Sequence, residues 1–367
     1  MNKYKVCVYA ICKNEEQFVK RWFNSMKEAD DIYVLDTGST DKTVKMLKKM
    51  GVKVKTKKIN PWRFDVARNI SLEMVPDDID ICVCTDLDEV FEKGWREKLE
   101  NVWEDNTTRL RYNYNWSFDD DGKPSVNFYI EKIHSRSGYK WTHPVHEVLK
   151  YIGEDSEVFV TTDLITVNHY PDSTKSRSSY LPLLELSVQE DEKDDRNMHY
   201  LGREYMFHGK WNECIDTLIK HLKLPTATWK DERAASMRFI ARSYKNLNRI
   251  DEARMWLDKA IVEAPYLRDA YIERALLEYQ EDNYVEIEKY CKKALEIISH
   301  TKSYINEPFS WDHTVYDLLS LSTYYQNKID ESLFYVEKAL ELSPNNERLI
   351  KNKEIIYNKI KENNLAD

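Results

Sequence analysis

The stretch "DICVCTDLDEV" (Asp80–Val90) runs a short apolar segment directly into three carboxylates, Asp86, Asp88 and Glu89. Continuous apolar runs of this length are typical of strands buried in a parallel sheet. Clustered carboxylates repel one another unless a positive species joins them. The stretch therefore predicts a buried strand whose end carries acids that require a cation.

The same alternation extends through the N-terminal half. Further apolar runs, "KVCVYAI", "DIYVLD" and "GVKVKTKKI", alternate with helix-spaced segments such as "EEQFVKRWFNSMKE". Strands alternating with helices of about ten residues indicate β/α units, with a mostly parallel sheet covered on both faces. Ligands of such sheets bind beyond the carboxyl ends of the strands. We therefore expect the site at the polar residues that follow the strands, namely residues 12–15, 36–39 and 86–89.

From about residue 196 the sequence predicts helices only, and small residues recur in it. The first set is Gly202, Ala241, Ala275 and Ser320, and nineteen residues beyond each stand His221, Ala260, Ala294 and Ala339. Recurrence near 34 residues with two helices per unit resembles tetratricopeptide repeats. We expect four helix pairs and a capping helix over about 347–361. The first pair departs from the pattern because His221 replaces a small residue.

These patterns predict an α/β domain over 1–175, a linker with one short helix over 176–195, and an all-α repeat domain over 196–367. The segment between the two halves, residues 170–195, carries two prolines, a serine cluster and an acidic run. The acidic run is typical of a solvated surface.

Composition limits the function classes. The 367-residue chain has a net charge of −9 and a pI near 5.6, without a lysine/arginine stripe, so we expect no nucleic-acid partner. No apolar run approaches the roughly 20 residues of a membrane helix, and no signal peptide is recognisable. We expect a cytoplasmic protein that is not membrane-embedded, with six cysteines serving as small core residues.

Asp86 and Asp88 stand two apart, so at a strand end both carboxylates point to one side. Hard oxygen ligands suit Mg²⁺ or Mn²⁺. The alternative to a metal site is that these acids form a solvated turn or cap the helix that follows. An EF-hand calcium loop is excluded because Phe91 occupies the position that requires glycine. The D-x-D pattern of haloacid-dehalogenase-like phosphatases also fits, but their later lysine and acidic pair are not evident downstream, so a phosphatase remains an alternative.

Four motifs in order resemble those of the family 2 glycosyltransferases, over roughly residues 4–170. They are "AICKNEE" (Ala10–Glu16), "LDTGSTDKT" (Leu35–Thr43), "ARN" (Ala67–Asn69) and "TDLDE" (Thr85–Glu89). The resemblance implies the Rossmann-like GT-A fold and transfer of a sugar from a nucleotide donor. The intact acids argue against a catalytically dead tetratricopeptide adaptor, which is the alternative from another class.

The resemblance also implies roles for residues of the motifs. Asp36 holds the uracil of a UDP-sugar, and Arg68 lies near the diphosphate. Asp86 and Asp88 carry Mn²⁺ or Mg²⁺ on that diphosphate. The other residues implied to bind the nucleotide sugar are Ala10, Asn14, Glu15 and Ser39. Ser39 also fits a plain turn with a helix N-cap, and the two roles are compatible.

The segment "SGYKWTHPVHEVL" (Ser137–Leu149) is dense in functional side chains. By the same resemblance Glu147 is the general base toward the acceptor, and a carboxylate suits that task. Trp141 stacks on a sugar or the acceptor, or else belongs to the core. His169 completes the metal site, with His146 as the alternative, and whether Glu89 joins it stays open.

Similar pairings of a family 2 domain with tetratricopeptide repeats occur in bacteriocin S-glycosyltransferases. The resemblance implies an inverting enzyme with a peptide or protein acceptor engaged by the repeats. Acceptors of cell-surface polysaccharide or lipopolysaccharide synthesis are the alternative. Homodimer formation or support of the catalytic domain are alternative roles for the repeats. The sequence leaves open which sugar is transferred and whether O, S or N receives it.

Overall fold

The computed structural model describes residues 3–119, 121–172, 174 and 178–366. The chain divides into two compact units. The N-terminal unit comprises residues 1–190 together with 302–304, and the repeat unit comprises 191–301 and 305–367. The two units are treated separately below.

A mixed sheet forms the centre of the N-terminal unit. Its strand order is β3-β2-β1-β4-β7-β6-β10-β5, where β5 and β7 run opposite to the other strands in the described chain. The strands are β1 (Val6–Cys12), β2 (Asp31–Asp36), β3 (Lys53–Thr56), β4 (Ile81–Thr85), β5 (Glu89–Phe91), β6 (Arg109–Phe118), β7 (Pro124–Ser135) and β10 (Phe159–His169). A separate hairpin pairs β8 (Tyr139–Thr142) with β9 (Val148–Tyr151).

Helices cover this sheet. They are α1 (Glu16–Met26), α2 (Thr43–Lys49), α3 (Phe64–Glu73), α4 (Trp95–Val102) and α5 (Tyr180–Glu190). Strands β1 and β4 are buried along their full length, in agreement with their continuous apolar sequence. One core cluster takes Val6, Val8 and Ala10 of β1 together with Trp22 of α1. The α/β architecture predicted from the alternating strands and helices is confirmed.

The long hairpin β6–β7 is the part of the sheet that the sequence pattern did not reveal. Strand β7 is half-buried along most of its length, and "RLRYNYNWSF" of β6 places aromatic and amide side chains side by side. Such a strand lacks the continuous apolar run that marks a parallel core strand. It is nevertheless important, because β7 pairs directly with β4 and so borders the acidic strand end.

The repeat unit consists of helix pairs followed by one long helix. The pairs are α6 (Asp195–Phe207) with α7 (Trp211–Lys223), α8 (Lys230–Asn246) with α9 (Ile250–Glu263), α10 (Asp269–Gln280) with α11 (Tyr284–Glu296), and α12 (Thr314–Tyr325) with α13 (Ile329–Leu342), before α14 (Glu347–Ala366). A Cβ atom on Gly202 would lie 2.3 Å from the side chain of Leu218, so the first pair packs closely at this glycine. The predicted all-α repeat architecture is confirmed.

Three expectations concern the chain as a whole. The helix expected in the linker is α5, and it belongs to the N-terminal unit, whereas residues 176 and 177 at the start of the predicted linker lie outside the described residues. All six cysteines lie among the described residues, where each is buried and none forms a disulfide bond. Among the described helices, none is both long and apolar enough to cross a membrane.

Candidate functional site

The carboxyl ends of the co-directional strands lie at one edge of the sheet. Strand β2 ends at Asp36, β4 ends immediately before Asp86, and β10 ends at His169. Residues that are up to 133 positions apart in the sequence therefore share one edge because of strand direction alone. We call this edge the acidic edge, defined by Asp36, Asp86, Asp88 and His169.

Asp86 is bound by two cationic side chains of the protein. Nη2 of Arg68, on α3, donates to both carboxylate oxygens at 2.7 and 3.0 Å, and Nζ of Lys132, on β7, donates to Oδ2 at 2.9 Å. Burial alone would raise the pKa of Asp86, but the charges of Arg68 and Lys132 lower it well below its usual range. The cation that the sequence implied at this acid is thus supplied by the protein.

Both carboxylate oxygens of Glu89 accept hydrogen bonds from protein groups. Its Oε1 accepts hydrogen bonds from Lys132 Nζ at 2.8 Å and from the Tyr114 hydroxyl at 2.9 Å, and its Oε2 accepts one from the Asp86 backbone N–H at 3.0 Å. Only 2% of the residue is exposed. Glu89 therefore has a positioning role, since it holds the turn that carries Asp86.

Asp88 and His169 form the other half of the acidic edge. Nε2 of His169 lies 3.5 Å from Oδ2 of Asp88, and the backbone N–H of Tyr170 donates to the Asp88 carbonyl at 2.9 Å. Nδ1 of His169 donates to the Trp116 carbonyl at 3.1 Å, which orients the ring and directs Nε2 toward Asp88. Burial tends to lower the pKa of His169, but the hydrogen bond and charge of Asp88 raise it above its ordinary value.

These two side chains fit a divalent metal. Two ligand atoms bound side by side to one ion stand about 3–3.4 Å apart, given bonds of roughly 2.1 Å. The observed 3.5 Å is close to this separation. Among the described residues, the predicted ligands Asp86, Asp88 and His169 do not form one cluster, and Asp86 is paired with Arg68 and Lys132, so the three-residue metal set stays a prediction. The alternative ligand, His146, packs instead edge-on against the ring of Tyr180.

Arg68 also holds the predicted base. Its Nε donates to Oε1 of Glu147 at 2.9 Å while Nη2 binds Asp86, so one guanidinium links two of the predicted site residues. Glu147 is the last residue of the five-residue loop between β8 and β9, in which His143 and His146 adopt left-handed backbone conformations, with φ of 77° and 50°. Such conformations cost energy for residues other than glycine, and they concentrate at functional loops.

Two predicted contact residues lie in the core. Ala10 is completely buried and packs with other residues of β1 and α1, so its side chain belongs to the core and not to the nucleotide site. Trp141 is 3% exposed, and its Nε1 donates to the Tyr9 hydroxyl at 2.9 Å. The Arg68 guanidinium lies 5.5 Å from the centre of the indole. Trp141 therefore supports Arg68, in agreement with the core alternative.

The loops after β1 and β2 are joined by hydrogen bonds. The Asn14 backbone N–H donates to the Ser39 hydroxyl at 2.8 Å, and Oδ1 of Asn14 accepts from the Thr40 N–H at 2.7 Å. Asp36 accepts from the N–H groups of Gly38 and Ser39 at 3.3 and 3.0 Å, which closes its own turn. The Glu15 N–H donates to the Thr43 hydroxyl. The turn anticipated at Ser39 is present, whereas the N-cap position of α2 is Lys42, so the expected helix cap at Ser39 is wrong.

Two residues near the acidic edge were not predicted from the sequence. Lys132 has no motif around it, and only the pairing of β7 with β4 brings it to Asp86. Trp116 is 44% exposed and stacks on His169 with ring centres 4.5 Å apart. An exposed tryptophan beside a candidate metal ligand offers a flat apolar surface to a bound molecule. The aromatic density of β6 was the available signal for Trp116.

Comparison with known families adds independent evidence. Residues 7–155 match the family model for glycosyl transferase family 2, and residues 239–265 match that for a tetratricopeptide repeat. The N-terminal unit is thus similar to family 2 glycosyltransferases over residues 7–155. Every residue of the acidic edge except His169 lies within this matched range.

Curated relatives carry similar descriptions. An uncharacterized glycosyltransferase of Rickettsia bellii (strain RML369-C) is 33% identical over 100 residues, which cover 27% of this chain and 33% of the relative. An uncharacterized glycosyltransferase of Rickettsia typhi (strain ATCC VR-144 / Wilmington) is 21% identical over 257 residues, which cover 70% of this chain and 76% of that relative. The match to the first relative thus spans about a third of that protein's length.

Solved structures also match in part. The crystal structure of MamA aligns with 48% of this chain and 96% of its own, at 19% identity and a TM-score of 0.37. The crystal structure of YrrB, described as a TPR protein with an unusual peptide-binding site, aligns with 48% of this chain and 84% of its own, at 13% identity and a TM-score of 0.39.

Proposed function

We propose that the protein is a metal-dependent glycosyltransferase that transfers a sugar from a UDP-sugar to a polypeptide side chain in the cytoplasm. The observation that carries the proposal is the Asp88–His169 pair, with Nε2 of the histidine 3.5 Å from the carboxylate at the edge where strands β2, β4 and β10 end. The family match of residues 7–155 supports the same reaction class.

The nucleoside end of the donor binds at the loops after β1 and β2. Asp36 would accept a hydrogen bond from the uracil, and Asn14, Glu15 and Ser39 would contact the base and ribose. The interlocked hydrogen bonds of these loops support the assignment, since they hold the polar side chains in place before a ligand arrives.

Asp88 and His169 would hold Mn²⁺ or Mg²⁺ against the donor diphosphate. Such ions commonly use one or two protein ligands plus substrate phosphates. The ion would supply positive charge to the departing nucleoside diphosphate. Trp116, stacked on His169 and half-exposed, would form an adjacent wall of the site.

Glu147 would be the general base of a single displacement. The acceptor oxygen or sulfur bonds to the anomeric carbon, its proton passes to Glu147, and the bond from that carbon to the phosphate oxygen breaks with its electrons leaving on UDP. The anomeric configuration is inverted. Arg68 would keep Glu147 and Asp86 at a fixed separation during the step, since it donates to both.

The repeat unit would engage the polypeptide acceptor. It contains a cavity of about 480 Å³ lined by residues of α6 to α10 and by Phe309. Phe207 is 61% exposed there, and Lys245 adds positive charge, whereas Arg242 is paired with Glu273 and Glu307. Apolar surface beside a lysine suits an extended peptide that carries an aromatic and an acidic side chain. Cell-surface polysaccharide acceptors are the alternative.

Thermal-shift measurements with nucleotide sugars test the donor proposal. The full chain is heated with UDP-, GDP- and ADP-sugars in Mn²⁺, and again with chelator. Stabilisation by UDP-sugars only when Mn²⁺ is present is expected. A response to phosphate analogues alone would replace the proposal with a phosphatase, and no response to any nucleotide would indicate a non-catalytic adaptor.

Variants of the cavity test the acceptor proposal. Phe207→Ser and Lys245→Glu should reduce transfer to a peptide library while leaving UDP-sugar hydrolysis by water unchanged. Transfer to peptides at the wild-type rate in both variants would exclude this cavity as the acceptor site.

A further inference from the structure

The first helix pair of the repeat unit departs from the later pairs at one buried position. Ala260, Ala294 and Ala339 are completely buried in α9, α11 and α13, whereas the equivalent position in α7 is His221, which is also completely buried. An imidazole replaces a methyl group at a site where helices pack closely. A polar ring in such a place normally has a specific partner.

The surroundings of His221 supply two carboxylates. Asp195 lies in the first turn of α6 and Glu232 in the first turn of α8, and ligand atoms of the three residues all lie within 4.8 Å of one another. Nε2 of His221 is 3.3 Å from Oε1 of Glu232, yet it makes no hydrogen bond.

This distance has a direct explanation. Two atoms bound to one tetrahedral Zn²⁺ ion stand about 3.4 Å apart, given bonds of roughly 2.0–2.2 Å. A buried imidazole nitrogen without a hydrogen bond, beside carboxylate oxygen at this distance, is the arrangement expected of atoms that share a metal. One imidazole and two carboxylates are ligand types that Zn²⁺ accepts, with a fourth position left for water.

The hydrogen bonds at Nδ1 of His221 leave Nε2 of the same ring available to bind a metal. Nδ1 of His221 lies 3.0 Å from the Ser236 hydroxyl, and that hydroxyl lies 2.7 Å from Nδ1 of His199. Nδ1 of His199 can accept from the Ser236 hydroxyl, which in turn accepts from Nδ1–H of His221. This order of donors directs the lone pair of Nε2 to the carboxylates.

We propose that Asp195, His221 and Glu232 bind a divalent transition-metal ion, Zn²⁺ first, which fastens helices α6, α7 and α8 together. The site lies wholly in the repeat unit and is separate from the acidic edge. Its function is structural, because it joins the first helix pair to the second, where the usual small residue is missing.

Zinc titration of the full chain tests the proposal. The Asp88→Asn variant is used as background so that zinc binding at the acidic edge does not contribute. After chelator treatment and gel filtration, calorimetry and elemental analysis should find about one Zn²⁺ per chain, and the melting temperature of the repeat unit should rise with zinc.

Variants within this background assign the ligands. His221→Ala restores the residue type of the later pairs and should fold, yet its zinc affinity should fall on the order of 100-fold or more. Asp195→Asn, which preserves side-chain shape, should also weaken binding. The matched control is His208→Ala, because His208 sits 3.4 Å from Glu204 but is 40% exposed, and its loss should leave zinc binding unchanged.

The contrary results are equally specific. Absence of zinc binding in the Asp88→Asn background would overturn the proposal. Equal zinc affinity in the His221→Ala and His208→Ala variants would place the ion elsewhere. Neither result would bear on the glycosyltransferase proposal, which rests on the other unit.

Discussion

Arg68 and Asp86 form a two-bond ion pair, with Nη2 of the arginine 2.7 and 3.0 Å from the two carboxylate oxygens. The pair divides the acids of the "TDLDE" motif into two kinds. Asp86 and Glu89 are satisfied by Arg68 and Lys132, whereas Asp88 is left to face His169. Positive charge from the protein thus holds the strand end together, and the metal proposal rests on Asp88.

Loss of the Arg68 charge should destabilise the N-terminal unit. Arg68→Met leaves Asp86 and Glu147 without this partner, and we expect the unfolding free energy to fall by about 2–3 kcal/mol. This loss is at the low end for a buried ion pair because a third of the Asp86 side chain is exposed. Arg68→Lys retains the charge but cannot bind both acids, so it should lose less. Urea unfolding checks this, and wild-type stability in Arg68→Met would contradict the paired arrangement.

Lys132 and Glu89 should be energetically coupled. The single variants Lys132→Met and Glu89→Gln each leave a buried group without its partner, whereas the double variant removes both charges. We expect a coupling of about 1–3 kcal/mol in a double-mutant cycle of unfolding free energies. Lys140→Met, on an exposed position of β8, is the control and should change stability by less than about 0.5 kcal/mol. Additive effects of the two single variants would remove the proposed positioning role.

Glu147→Gln should act on the chemical step. The variant retains a hydrogen-bonding side chain beside Arg68 but cannot take up the acceptor proton. We expect kcat to fall about 10²–10⁴-fold with little change in KM for the donor. Glu157→Gln is the control, because Glu157 also pairs with an arginine, Arg109 at 2.8 Å, and its kcat should stay near the wild-type value. Unchanged kcat in Glu147→Gln would assign the base to another group.

His134 predicts a pH dependence of stability. Burial lowers its pKa from 6.5 to about 3, and its Nε2 lies 2.8 Å from the Tyr9 hydroxyl. Between these values the unfolded chain binds a proton that the folded chain does not. This group's contribution is therefore complete above about pH 6.5 and falls by about 1.4 kcal/mol per unit as the pH drops toward 3.

The contribution of His134 is isolated by comparing how steeply the unfolding free energy changes with pH in the wild type and in variants. His134→Gln should lower the pH dependence of the unfolding free energy by that amount, whereas His208→Gln, at an exposed histidine, should not. Identical slopes in His134→Gln and the wild type would show that His134 is not a buried neutral group.

The features that the sequence predicted correctly depend on local pattern. Strands β1 and β4 were recognisable as continuous apolar runs, and the helix pairs were recognisable from small residues such as Ala241 and Ala275 at regular spacing. The metal-ligand role of His169 came from the resemblance to family 2 glycosyltransferases and, like that of Asp88, stays a prediction, although strand direction brings both residues to one edge.

The features that were missed depend on pairing across the chain. Lys132 reaches Asp86 only because the antiparallel strand β7 lies beside β4, and a half-buried strand has no clear signal. Both faces of β1 are covered, so the sequence could not tell that Ala10 faces the core. The acids of "TDLDE" were visible in the sequence, whereas the cations that bind two of them were not.

The most direct test of the central claim is UDP release from a UDP-sugar, measured with Mn²⁺ and with chelator, for the wild type and for the Asp88→Asn and His169→Ala variants. We expect release by the wild type only in Mn²⁺, and a loss of about 10²-fold or more in each variant. Release by the wild type that continues unchanged in chelator, or that survives in Asp88→Asn, would contradict a metal site at Asp88 and His169.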